Sequence, residues 1–194
     1  LADVLREAGD VEQAARHLAV AKELGETASL PENRYRWFVT MARLMVAGGD
    51  LTGALEMLDQ AEARYLPGFF PEVQPIAASR ARIWISLGDL ASTRTWAAEH
   101  RRADAESDSY LDQYNALTEV RLLLAEHRAV GVDGEFADQA MGLIGRVLES
   151  AMGGGGGLVE ATMLRGLANA ARGDVDAALD YISEAVVNGV PARY

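Results

Sequence analysis

The chain has no cysteine, which excludes disulfides, thiolate metal sites and cysteine nucleophiles together and fits a reducing compartment. No apolar run approaches the roughly 20 residues that cross a bilayer, and no signal-peptide pattern opens the sequence. A cytoplasmic protein with no membrane partner is the expectation. Histidine is scarce: His17, His100 and His127 are the only three, and none has a second histidine one helical turn away, so no metal site is expected. Basic residues are outnumbered, 18 Lys and Arg against 29 Asp and Glu, for a net charge of -11. That balance repels a phosphate backbone and argues against direct nucleic-acid binding. No stretch alternates apolar and polar residues between turn signals for long enough to predict a strand.

What is present is a repeated two-helix unit, clearest in Phe38 to Tyr65. Phe38, Met41, Ala42 and Met45 follow helical spacing on one face, and Ala54, Leu58 and Ala61 do so on a second helix. Between them stand Gly49 and Asp50. Glycine tolerates the left-handed conformation that ends a helix, and aspartate accepts hydrogen bonds from the free amides of the next first turn. The Gly-Asp step recurs as Gly9-Asp10, Gly49-Asp50, Gly88-Asp89 and Gly173-Asp174, with gaps of 40, 39 and 85 residues. The long gap conceals one unit. A small residue followed by arginine recurs as Ala42-Arg43, Ala81-Arg82 and Val120-Arg121, 39 and 39 apart, which puts the hidden turn near His127, followed by an insertion of about seven residues around Arg128 to Gly134.

This periodicity predicts a truncated helix at 1–8 and helices near 11–24, 33–47, 51–65, 72–87, 90–101, 108–127, 135–151, 158–172 and 175–188. The expected fold is all-α: a right-handed α-α superhelix of about five helix pairs, a single helical repeat domain over 1–194. A chain that starts at Leu1, partway through a helix, reads as a fragment of a larger protein.

Few features carry chemistry. Gly153 to Gly157 precede a helix, but no apolar strand leads in and no lysine with serine or threonine follows, so the phosphate-loop pattern fails and a flexible inter-repeat loop is expected. The two Ala-Glu-His-Arg copies fall at predicted helix ends, where cations complement exposed carbonyls. Asp104 to Asp112 reads as a solvated loop and the first turn of the next helix. No catalytic residue, cofactor or enzymatic activity is expected. Phe38 and Trp84 fit core positions, whereas Trp37, beside a core face, is a candidate ligand contact. The sharpest signal is the repeat of Arg43, Arg82 and Arg121. With Arg36 and Trp37 they form the candidate binding set, a positive strip in an acidic protein suited to a carboxylate, a phosphate or an acidic peptide segment. The same arginines also fit a role as glue, each pairing with an acid of a neighbouring repeat.

The unit resembles the tetratricopeptide repeat: the small position seven before each turn glycine is Ala2, Ala42, Ala81 and Gly166, and the position five after it is Ala14, Ala54, Thr93 and Ala178. The period of 39 to 40 exceeds the usual repeat of about 34. The order LREAGDVEQAARHLAVAKELG, ASRARIWISLGDLASTRTWAAEHR and SYLDQYNALTEVRLLLA resembles the helical sensor domain of the large ATP-binding LuxR-type transcription regulators, the maltose-regulator-like family. That resemblance implies a sensor that receives a small-molecule inducer or a protein partner, flanked by an ATPase module and a DNA-binding module. The alternative is a stand-alone scaffold that docks peptide segments of partner proteins.

Overall fold

The computed structural model describes residues 1–24, 34–66, 75–103, 110–131, 134–150 and 156–192, and among them there are ten helices and no strand. In order these are α1 (Ala2–Glu7), α2 (Val11–Glu23), α3 (Arg34–Ala47), α4 (Leu51–Glu62), α5 (Ile76–Leu87), α6 (Leu90–Ala103), α7 (Tyr110–Val130), α8 (Glu135–Ser150), α9 (Gly156–Ala171) and α10 (Val175–Ala192). They form two compact units, Leu1–Glu72 with α1 to α4 and Val73–Tyr194 with α5 to α10. In both, consecutive helices pack as pairs: α1 on α2 and α3 on α4, then α5 on α6, α7 on α8 and α9 on α10. The fold is all-α and built from tetratricopeptide-like helix pairs.

The Gly-Asp step makes the turn by one hydrogen-bond scheme four times. Gly9, Gly49, Gly88 and Gly173 have φ between 78° and 83°. Each aspartate amide reaches back to a carbonyl five residues earlier, as Asp50 to Met45 at 2.9 Å and Asp174 to Asn169 at 2.9 Å, and each glycine amide to one three earlier. This is the Schellman closure, which satisfies carbonyls orphaned by the helix end. The aspartate then turns from closing one helix to opening the next. Its carboxylate accepts from the backbone amide three residues on: Gln13 at 3.0 Å, Gly53 at 2.9 Å, Ser92 at 3.1 Å and Ala177 at 3.1 Å. At Asp89 the Ser92 hydroxyl adds a 2.6 Å bond, and with the Ser92 amide it holds this carboxyl below its ordinary value. A Cβ at Gly49 would meet nothing within 4 Å, so the cost of Gly49→Ala is conformational alone. It is expected to be about 1 to 2 kcal/mol, from the left-handed backbone an alanine must adopt, read as a lower urea midpoint of unfolding followed by circular dichroism.

The small positions lie at the helix contacts. Ala42, Ala81 and Val120 are at most 1% exposed, and so are Ala14, Ala54 and Thr93. Close approach of backbones requires small side chains at such points. Gly166 is the extreme case, since an added Cβ would stand 2.7 Å from Ile182 Cγ1 and 3.0 Å from the Ala178 carbonyl oxygen on α10. Around these contacts lie separate apolar clusters. In the first unit Ala14, Leu18 and Leu44 pack with Leu5, Trp37 and Met41. In the second, Ala78, Ala81, Trp96, Ala97 and Leu122 form one cluster, and Leu117, Val120, Leu123, Ile144, Val147 and Leu164 lead another between α7, α8 and α9.

Three differences from the sequence reading have local causes. The concealed turn falls at Gly131 (φ 66°), not near His127, because Arg128, Ala129 and Val130 are all compatible with a helix and α7 runs on to the first glycine. Helix α9 begins at Gly156, inside the glycine run; Gly153 to Gly155 lie outside the described residues, as do residues 104–109 of the acidic stretch. Among the aromatics, Trp96 is buried while Phe38 and Trp84 are half-buried, Trp84 packed against the cluster of Ala81, Trp96 and Leu122.

Candidate functional site

In the second unit the first helices of successive pairs, α5, α7 and α9, lie side by side. Tyr114, Thr118 and Arg121 recur at spacings of four and three on α7, so they share one face of it. That face meets Arg82 of α5 and Glu160 of α9. Arg82 is held on every side: Nε donates to Thr118 Oγ1 at 2.8 Å, Nη2 to the Tyr114 carbonyl oxygen at 3.2 Å, and Nη1 to Glu160 Oε2 at 3.2 Å. Its guanidinium carbon also stands 3.7 Å from the centroid of the Tyr114 ring, within cation–π range. The Thr118 hydroxyl in turn donates to the Tyr114 carbonyl at 2.8 Å.

Arg121 approaches the same carboxylate from α7, its Nε 2.9 Å from Glu160 Oε1. Two guanidinium groups therefore converge on one carboxylate, leaving one unit of positive charge in excess. The side chains of Arg82 and Glu160 are each 20% exposed, that of Arg121 34%. Among the described residues Arg121 donates only through Nε, so the more accessible arginine is also the less committed one.

In the first unit Arg43 pairs with Asp3 of α1, the helix of the preceding pair. Arg36 lies two turns before Arg43 on α3 and is exposed. The Trp37 indole N–H donates to the Leu18 carbonyl oxygen at 2.9 Å, its ring meets Phe38 edge-on at 5.0 Å, and Lys22 Nζ stands 5.9 Å from its centroid. The contacts with Leu18 and Lys22 tie α3 to α2.

The acceptors Asp3 and Glu160 were missing from the sequence reading, although the period contains them. One step of 40 back from Arg43 lands on Asp3, and one step of 39 on from Arg121 lands on Glu160. Counted from the turn glycines, Asp3, Arg43 and Arg82 each stand six residues before Gly9, Gly49 and Gly88, whereas Arg121 stands 10 before Gly131 and Glu160 13 before Gly173. Among the described residues no three His, Asp or Glu side chains are placed to hold a metal ion, and no helix is long and apolar enough to cross a membrane.

A family model described as the MalT-like TPR region matches residues 1–194. Comparison with curated proteins and with solved structures returned no match.

Proposed function

We propose a recognition role for this chain from one premise: it belongs to the family of MalT-like TPR regions. In this reading it is the non-catalytic sensor and interaction domain of a bacterial, cytoplasmic LuxR-type transcriptional regulator. Its ATPase and DNA-binding modules would lie elsewhere in the full protein, and the domain answers to an effector with an anionic group, a carboxylate or a phosphate.

The observation that carries the ligand class is the meeting of Arg82 and Arg121 on Glu160. A second anion matches the surplus charge, and a guanidinium with N–H groups to spare suits the planar geometry of carboxylate and phosphate. Arg82, fixed by Thr118 and Tyr114, supplies a preorganised donor. Arg121 supplies a more accessible one. An anion that draws Arg121 away from Glu160 loosens the tie between α7 and α9, so it favours a different orientation of the last helix pairs. Such a ligand shifts the balance between two states by its difference in affinity for them.

The test is a thermal-shift series with inorganic phosphate, succinate and a neutral sugar on the chain and on Arg121→Gln. A ligand of the folded state at 100 times its Kd adds about 2.7 kcal/mol of apparent stability. The anions are expected to raise the melting temperature of the parent chain, the neutral sugar not, and Arg121→Gln to abolish the difference. Equal shifts in parent and variant, or none with either anion, would remove this reading.

A further inference from the structure

One unit of positive charge is left over at the Arg82–Glu160–Arg121 cluster, and it resides on Arg121. Arg82 Nη1 donates to Glu160 Oε2 at 3.2 Å and stands 3.0 Å from Oε1, so the carboxylate is gripped at both oxygens by an arginine that Thr118 and Tyr114 already fix. Those two charges cancel. The neighbouring ions are engaged elsewhere: Glu119 and Glu126 of α7 pair with Arg101 and Arg94 of α6, and Arg165 of α9 lies over the ring of Tyr181 on α10. Among the described residues none of them pairs with Arg121.

The free end of Arg121 has a shape as well as a charge. Its Nε is taken up by Glu160 Oε1 at 2.9 Å, which leaves the Nη1 and Nη2 edge of the guanidinium, two parallel N–H groups that seat both oxygens of a carboxylate. A ligand with one carboxylate fills that fork and cancels the surplus charge. A dianion overshoots. Once Arg121 is neutralised, the second negative charge is left beside Glu160, which is anchored on Arg82 and whose side chain is only 20% exposed; like charges repel strongly where water is partly excluded.

We propose that Glu160 sets the charge of the effector, so that the site takes a monocarboxylate and discriminates against a dianionic sulfate or phosphate group. This rests on the reading of the cluster as the anion site of a sensor and narrows the class of ligand within it. Dianions still bind, more weakly. Glu160 is a specificity determinant: it attracts no part of the anion, and it makes every negative charge beyond the first costly.

Titration of the chain with propionate, methanesulfonate and sulfate at constant ionic strength and neutral pH, followed by NMR of its amides, tests this. The parent is expected to bind propionate at least about tenfold more tightly than sulfate. Methanesulfonate, which has the sulfur–oxygen geometry of sulfate and a single charge, should also bind more tightly than sulfate. Glu160→Gln keeps the size of the side chain and leaves two guanidinium groups uncancelled, so it is expected to gain at least about tenfold in affinity for sulfate and to reverse the order. Circular dichroism checks that the variant keeps its helices, and the order of the three anions on the parent is decisive without it. Sulfate binding to the parent as tightly as either monoanion, or an unchanged order in folded Glu160→Gln, overturns the role given to Glu160 and leaves the anion site standing. Absence of binding by all three removes the anion-sensor reading and this inference together.

Discussion

Leu164→Ala is expected to lower the stability of the 73–194 unit by about 2 to 5 kcal/mol, among the largest costs of any single truncation in the chain. Leu164 is 1% exposed and belongs to the cluster that Leu117, Val120 and Leu123 of α7 and Ile144 and Val147 of α8 form with α9. Its removal takes away both the transfer free energy of the lost methyl groups and the contacts of the side chains that lined it. Three helices hold that space open, and alanines at 140, 161 and 168 already bring their backbones close, so little collapse can offset the loss. Urea unfolding followed by circular dichroism should show a lower midpoint for the transition of this unit. Leu167, on the same helix but 39% exposed, is the control, with an expected cost for Leu167→Ala of about 1 kcal/mol or less.

Arg82→Glu acts through charge instead of volume. The new carboxylate faces Glu160 in place of a guanidinium, presents an acceptor to the Tyr114 carbonyl, and gives up the cation–π contact with the Tyr114 ring. Removing one partner from a buried pair costs about 3 to 5 kcal/mol. Side chains that are 20% exposed keep some hydration, so about 2 to 3 kcal/mol is expected here. Adding Glu160→Gln removes the repulsion and should restore part of the loss, whereas Arg82→Lys keeps the charge but loses the bond from Nε to Thr118. Calorimetric melting of the three variants should rank the lysine variant highest and Arg82→Glu lowest. A melting temperature for Arg82→Glu equal to that of the parent would mean that the arginine is not engaged as described.

The helix pairs were legible because their signals are local. Gly49 and Asp50 specify a turn from within a few residues, and the alternation of small and large apolar side chains at helical spacing marks the faces that meet. Where the signal was not local, reading by period went astray: the end of α7 was placed by counting from Val120, while the chain obeys its nearest glycine, Gly131. The arginines stood out as a repeat of like residues. Their acceptors did not, since Asp3 and Glu160 carry the opposite charge, and Glu160 stands 13 residues before its turn glycine where Asp3 stands six before its own. The tie that Trp37 makes between helices was not legible for a related reason. Its helical position lies beside the core face, and nothing local reveals that its N–H is used by the Leu18 carbonyl of another helix.

Helix pairs whose turn glycines stand 40, 39, 43 and 42 residues apart bring side chains about one repeat apart into contact, and the account depends on this. A double-mutant cycle on Arg121 and Glu160, separated by 39 positions in sequence and 2.9 Å in space, tests it most directly. Urea unfolding of the parent, Arg121→Ala, Glu160→Ala and the double variant should give a coupling of about 0.5 kcal/mol or more. Additivity of the two substitutions to within about 0.3 kcal/mol would contradict the account.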